Sequence, residues 1–341
     1  MSIFSQLKKT GKAMSFHTPG HKGKLNALDG TELDGAFPLD CIEKAEKQAA
    51  EHYGAKNVRF LVNGSSIGVK SMIMAVEGDI IAPENRHPSV DEGLTLAGKR
   101  GYFVRTKKKG GLPMPLTAEE IEREFFKHEG IKAALVVSPD YYGFTADLRA
   151  IRHTCDKLGL IMLVDSAHGA HFATLDPKAG DRPLFPISAT RIADACNLSA
   201  HKTMCAYTQS AYLAVNKSRL CEKIDKALRL LGTTSPSYIL MGQLEKAIEF
   251  ERKNARKYYD LVAEASKSLL GEKFERVKND DPMRVVLDFE KSGLSGKRVY
   301  EELASRGIYA EKYDERRVVF ILTLSDRVKD IRKLGKELRK L

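Results

Sequence analysis

Residues 160–172 read Leu160-Ile161-Met162-Leu163-Val164-Asp165-Ser166-Ala167-His168-Gly169-Ala170-His171-Phe172, an apolar run broken by a carboxylate. A run this short and apolar at every position predicts a strand buried on both faces, as in a parallel sheet. Asp165 then falls at the carboxyl edge of that sheet, where open α/β folds bind ligands. Working outward, runs at 58–62, 79–82, 102–106, 133–138, 195–198 and 210–215 predict further strands, with helical patterns at 39–53, 67–76, 118–128 and 146–158 between them. Strands alternating with helices imply an α/β fold with a mostly parallel sheet. Beyond Val215 the pattern predicts one long helix over 238–270. After it come strands at 283–289 and 317–322 and helices at 296–306 and 326–338. The expected organisation is an N-terminal arm (1–24), a large domain (25–255) and a smaller C-terminal α+β domain (256–341).

Composition narrows the function. The 341 residues are 43% hydrophobic, enough for a folded core, yet hold no apolar run near the roughly 18 residues of a membrane-spanning helix. The first twelve residues lack the apolar stretch of a signal peptide. The five cysteines, odd in number and without C-x-x-C pairing, fit neither a disulfide framework nor a thiolate zinc site. A cytoplasmic protein is expected. The net charge of +11 is concentrated at the ends: residues 1–24 carry five lysines and no acid, and 325–341 carry seven basic against three acidic residues. With no tryptophan and no nucleic-acid module, this reads as solvated helix faces plus room for an anionic ligand, and nucleic acid is not an expected partner.

Four segments could carry chemistry. Phe16-His17-Thr18-Pro19-Gly20-His21-Lys22 places two histidines four apart, but Pro19-Gly20 breaks the helix a metal pair would need. Asn63-Gly64-Ser65-Ser66 follows a strand and opens a helix; it reads equally as a phosphate site or as an ordinary serine cap. Asp165, His168 and His171 form either a metal set or, for Asp165 alone, a partner for a ligand's ring nitrogen. Ser199-Ala200-His201-Lys202-Thr203 ends another strand, and its lysine, set in uncharged surroundings, is a candidate Schiff-base nucleophile. A phosphate cradle, a strand-end aspartate and a lysine 37 positions later are what pyridoxal 5'-phosphate requires. A metal would leave Ser65, Ser66 and Lys202 without a role, so no metal site is expected.

The motifs F-H-T-P-G-H-K (16–22), N-G-S-S (63–66), D-S-A-H-G-A-H-F (165–172) and S-A-H-K-T (199–203) resemble those of the ornithine/lysine/arginine decarboxylase family, in family order over nearly the whole chain. The resemblance implies the aspartate aminotransferase fold and a pyridoxal-phosphate-dependent decarboxylase of a basic amino acid. By it, Lys202 would bind the cofactor's aldehyde, and Asp165 would pair with its ring nitrogen. Gly64, Ser65, Ser66, Ser199 and His201 would hold its phosphate. His87 would stack on its ring, with Ala167 on the opposite face and His168 close by. Thr234 and Ser235 would reach the phosphate of a neighbouring subunit, making the protein at least a homodimer with shared sites. Glu32, Asp34 and Asp140 are candidate partners for a cationic substrate tail. Departures are Pro88 in place of the family's usual lysine, Asp140 where Ser-Pro-Thr is common, a shortened 34–41 stretch, and no further domain after Leu341. The alternatives are another reaction on the same cofactor, transamination or β-elimination, or a role with aminoacyl-tRNA.

Overall fold

The strands, in chain order, are β1 (Asn57–Leu61), β2 (Asp79–Pro83), β3 (Gly101–Val104), the hairpin pair β4 (Lys108–Lys109) and β5 (Leu112–Pro113), β6 (Ile131–Val137), β7 (Ile161–Asp165), β8 (Ala195–Leu198) and β9 (Ala211–Val215). Past residue 270 follow β10 (Glu275–Arg276), β11 (Arg284–Asp288), β12 (Lys312–Tyr313) and β13 (Arg317–Ile321). This computed structural model describes residues 2–30, 40–175 and 184–341. Seven strands make the central sheet in the order β1-β9-β8-β7-β6-β2-β3. The pairs among β8, β7, β6, β2 and β3 are parallel, whereas β9 is antiparallel to both its neighbours. The link from β8 to β9 holds only the one-turn helix Ala200–Thr203, too little for the crossover a parallel pair requires.

Alternate residues of each strand feed opposite cores. Met162 and Val164 of β7 join Ile81 and Val136 on one face; Ile161 and Leu163 join Ile80 and Leu135 on the other. The first face is covered by helices Asp40–Tyr53, Leu148–Leu158 and Tyr238–Asn254, with Ile3 and Leu7 of helix Ile3–Thr10 packed into the same core. The second is covered by Ser65–Met74, Pro88–Ala97 and Ser218–Leu231. This two-sided burial is why the central strands are apolar at every position.

The helix expected over 238–270 is two helices, Tyr238–Asn254 and Lys257–Ser268. At the junction Tyr258 N and Tyr259 N bond the carbonyls of Ala255 and Arg256, three residues back, which tightens the turn. The two helices serve different cores: Leu244, Ala247 and Ile248 join the first core of the central sheet, while Tyr258 and Leu261 join a third core built around Val285, Leu287 and Val318. That third core lies against the antiparallel sheet β10-β11-β13-β12. Phe172 and Phe185, from the loop region after β7, pack into it as well.

Candidate active site

The carboxyl ends of β1, β2, β6, β7 and β8 converge on a cavity of about 420 Å³. Of the candidate site residues singled out in the sequence, seven line it: Ser65, His87, Asp140, Asp165, Ala167, His168 and Lys202. After β1 the chain turns at Gly64, whose φ of +79° is left-handed and favours glycine, and helix Ser65–Met74 begins. Gly64 N donates to Gln209 O at 2.9 Å, tying the turn to the loop before β9. The buried Ser199 hydroxyl donates to Ser65 Oγ at 2.6 Å, fixing that side chain at the helix N-terminus where unpaired N–H groups favour an anion. After β2, His87 caps helix Pro88–Ala97 by accepting from Ser89 N at 3.2 Å through Nδ1, which pins the ring at the cavity wall. Pro88, a departure from the family pattern, occupies the first turn of that helix, where a fixed φ and a missing N–H are tolerated.

Asp165 ends β7 with its Oδ1 accepting from Ala167 N at 3.1 Å and Asn197 Nδ2 at 3.3 Å. Asn197 belongs to β8, so the neighbouring strand orients the carboxylate. Lys202 sits in helix Ala200–Thr203 with Nζ 3.3 Å from His168 Nε2. The opposite ring nitrogen of His168, Nδ1, lies 2.9 Å from Arg284 Nη2 on β11. Burial, followed by the neighbouring Arg284 and Lys202 side chains, pushes the His168 imidazole well below its ordinary range. Burial likewise lowers Lys202; Asp165 opposes that shift and Arg284 reinforces it. Asp140, on the loop after β6, is pushed up to about 6 by burial against three backbone donors that favour its charge.

The other predicted residues lie around the cavity rather than on its wall. Ser199 acts through Ser65. His201 turns its Nδ1 to Ser210 O at 3.1 Å, so that nitrogen carries the proton and neutral His201 has only an acceptor at Nε2. Ser66 follows Ser65 in the helix. Thr234 and Ser235 are exposed, and their turn abuts the chain's own cradle: Thr233 N donates to Asn63 Oδ1 at 3.4 Å. The metal set does not assemble, since His171 Nε2 is engaged with Asp281 Oδ1 at 3.2 Å and His168 with Arg284. Among the described residues no group of three His, Cys, Asp or Glu is placed to hold a metal. Glu32 and Asp34 lie outside the described residues; Asp140 lines the cavity.

Sequence reasoning passed over Arg284, Tyr141 and Lys312. Arg284 is 1% exposed, and its signal was an isolated cation in the apolar run 283–289. Tyr141 stands edge-on to His168 at 5.0 Å between ring centroids, with Lys312 Nζ 4.6 Å above the tyrosine ring. Asp140 Oδ2, Arg284 Nε and Arg284 Nη1 are buried without a hydrogen-bond partner. Unsatisfied polar atoms beside a strand-edge cavity are groups that a polar ligand would satisfy. An anion cradle, an oriented carboxylate and a partly desolvated lysine around one space fit pyridoxal 5'-phosphate.

The architecture is that of the aspartate aminotransferase-like fold-type I enzymes. Lysine decarboxylase A from Pseudomonas aeruginosa superposes with a TM-score of 0.81 at 17% identity, over 98% of this chain and 59% of its own. The Orn/Lys/Arg decarboxylase major domain matches residues 31–281, and the chain belongs to that family. An arginine decarboxylase of Bacillus subtilis (strain 168) is 28% identical over 387 residues, 99% of this chain and 76% of its own. One of Halalkalibacterium halodurans is 31% identical over 274 residues, 71% of this chain and 53% of its own. The chain thus spans 59% of the lysine decarboxylase structure and about three quarters of the Bacillus subtilis relative. Among the described residues no helix is long and apolar enough to cross a membrane.

Proposed function

We propose that this chain binds pyridoxal 5'-phosphate and decarboxylates a basic amino acid (arginine, lysine or ornithine) to the corresponding amine. The observation that carries the reading is the meeting of Ser65, Asp165 and Lys202 on one cavity, each held by neighbours from a different strand end. Bound there, the cofactor supplies an electron sink for the pair left when the bond to the α-carbon breaks. The protein's share is placement and charge. Ser65 and the helix N-terminus hold an anion, and Asp165 keeps a proton on a facing ring nitrogen. Lys202, with its basicity lowered by burial, presents a free amine more readily than an exposed lysine does. His87 and Ala167 both line the cavity, and an inserted ring bracketed by them would have its plane fixed. Asp140, its Oδ2 free of partners, is the carboxylate we assign to a cationic substrate tail.

Borohydride reduction of the reconstituted protein, followed by peptide mapping, should place the label on Lys202. Incubation with arginine, lysine and ornithine should release carbon dioxide and one amine identified by mass. Keto acid in place of amine selects transamination, and a label on another lysine overturns the assignment. Lys202→Ala should retain cofactor without the covalent link and lose turnover.

The same reading includes a homodimer in which the exposed Thr234 and Ser235 face a partner's cradle. Mixing inactive Lys202→Ala chains with inactive Thr234→Ala/Ser235→Ala chains should restore part of the activity, because one hybrid site is then intact. An active monomer, or no recovery after subunit exchange, removes the shared site.

A further inference from the structure

We propose that Arg284, reaching from the small domain, fixes the tautomer of His168 so that its Nε2–H donates to Lys202 Nζ, which holds Lys202 as the free amine. Arg284 is in these terms a positioning residue acting through His168. The proposal deepens the reading of Lys202 as the cofactor's lysine, while its hydrogen-bond logic stands on the protein alone.

A guanidinium has only donors, so at 2.9 Å from Arg284 Nη2 the Nδ1 of His168 must accept. A neutral imidazole carries one proton, which is then on Nε2, 3.3 Å from Lys202 Nζ. An ammonium also has only donors and would set N–H against N–H across that gap. The chain of contacts closes only when Lys202 is an amine with a lone pair. The opposite tautomer would let an ammonium donate to Nε2, but it would press Nδ1–H against Arg284 in a buried site. A doubly protonated ring would likewise press Nδ1–H against the Arg284 guanidinium, whatever the state of Lys202. The remaining charged or titratable neighbours do not alter this logic. Asp165 and Glu311 favour a charged Lys202, and Arg284 and burial oppose them. His87, at the start of helix Pro88–Ala97, and His171, three residues on in the same segment after β7, each disfavour its protonation. Burial lowers the Arg284 guanidinium from its ordinary range, and Asp281, Tyr141, Glu311 and Asp140 oppose that shift; a guanidinium remains a donor-only cation in proteins.

Arg284 is built into place. Its N donates to Asp281 O at 3.0 Å and its carbonyl accepts from Asn279 Nδ2 at 2.8 Å. Asn279 Nδ2 also donates to Tyr142 O at 2.6 Å, tying β11 to the loop after β6. The stem of Arg284 passes Gly143 so closely that a Cβ there would lie 2.8 Å from the arginine Cβ. Through Arg284 the nucleophile therefore reads whether the small domain is seated against the large one.

The test uses the full chain freed of cofactor and labelled with 15N-histidine, with ring tautomers read from long-range 1H–15N spectra. Loss of a signal in His168→Gln assigns it. The expected result is a neutral His168 carrying its proton on Nε2 from pH 6 to 9. A proton on Nδ1, or a doubly protonated ring at pH 7, overturns the proposal, and this measurement needs only the native chain to be folded. Competitive acetylation at pH 8, mapped at Lys202, gives the second readout. Arg284→Met and His168→Phe should each slow acetylation of Lys202 by roughly threefold or more, as its amine becomes more basic. In His168→Phe the further change Arg284→Met should add clearly less than it does alone. Independent, additive effects, or unchanged reactivity, reduce Arg284 to a bystander charge and overturn the relay. A borohydride label elsewhere than Lys202 would sink the cofactor reading and leave the tautomer result standing; a wrong tautomer does the reverse.

Discussion

Two aspartates end neighbouring parallel strands, Asp165 on β7 and Asp140 just past β6, and both are almost fully buried on the wall of one cavity. Their surroundings differ. Asp165 shares one oxygen between its own loop (Ala167 N) and the next strand (Asn197 Nδ2), so the sheet itself aims it. Asp140 spends Oδ1 on Tyr142 N and Phe144 N of its own loop, and its Oδ2 is buried with no partner. Burial raises the Asp140 carboxyl to about 6, so it changes charge within the working range of an enzyme. The contrast separates two tasks: Asp165 is a fixed feature of the sheet edge, suited to a resident cofactor, while Asp140 is an unsatisfied acceptor suited to a visiting cation.

The largest effect should come from the fixed aspartate. Asp165→Asn keeps the shape and removes the carboxylate that, on the proposed reading, would hold a proton on the ring nitrogen. Turnover should fall by roughly 10²–10³-fold while cofactor affinity changes little, since the phosphate contacts persist. Steady-state kinetics and cofactor titration check this split. Near-normal turnover would make Asp165 a structural group and end the distinction between the two aspartates.

Asp140→Asn should act on substrate instead. A hydrogen bond to a charged partner is worth about 1.5–3 kcal/mol, so kcat/KM for the basic amino acid should fall roughly ten- to a hundredfold at pH 7.5. The sign of the pH dependence follows from the raised pKa. Below about 6 the carboxyl is neutral and cannot hold a cation, so parent kcat/KM should decline there, and Asn should abolish that limb. Stability runs the other way. A raised carboxyl stabilises the fold fully below its ordinary 3.8 and loses that contribution as pH climbs through about 6. At pH 7.5 the Asn variant should therefore melt no lower than the parent. An Asn variant with an unchanged acid limb removes Asp140 from substrate binding.

The fixed aspartate was legible in the sequence and the poised one only in part, for a physical reason. Strands buried on both faces must be apolar throughout, so 160–164 and 133–137 announce themselves, and a carboxylate that breaks such a run marks the sheet edge. The antiparallel course of β9 was not read, although the short 199–210 link implied it. Helix Pro88–Ala97 was passed over because proline and glycine resemble a loop; proline in the first turn is in fact a start signal. Helix Ser218–Leu231 had a readable stripe in Leu220, Ile224 and Ala227, spaced by four and three. Arg284 depends on contacts 116 positions away from His168, and no local pattern encodes them. The break at Ala255–Arg256 was hidden because both halves are good helix formers, and only their service to two different cores separates them.

A scaffold glycine behind Asp140 should matter less to turnover but clearly to stability. Gly143 has φ +87°, and a Cβ there would approach Asn279 Nδ2 to 2.7 Å and Arg284 Cβ to 2.8 Å. Left-handed backbone and overpacking together should cost Gly143→Ala roughly 2–4 kcal/mol, seen as a lower midpoint in urea with an unchanged slope. An unchanged midpoint would mean that the Asp140 loop yields freely and does not hold Arg284 in place.

The smallest effect belongs to the matching glycine behind Asp165. Gly68 lies within helix Ser65–Met74, where alanine is favoured by about 1 kcal/mol. A Cβ there would come 2.4 Å from Asn197 Oδ1 and 2.9 Å from Leu61 Cδ1. Asn197 is fully buried and cannot swing aside freely, so overpacking of about 1–3 kcal/mol opposes the helix gain. Gly68→Ala should consequently shift the urea midpoint only slightly downward. Its sharper signature is local: Asn197 must give way, and Nδ2 is one of the two donors that orient Asp165. If the sheet aims Asp165 through that contact, Gly68→Ala should lower kcat more than its small loss of stability suggests, with KM for the amino acid unchanged. Normal kcat beside a lowered midpoint would show that Ala167 N alone suffices to orient the carboxylate, and the two aspartates would then differ only in what their second oxygens meet.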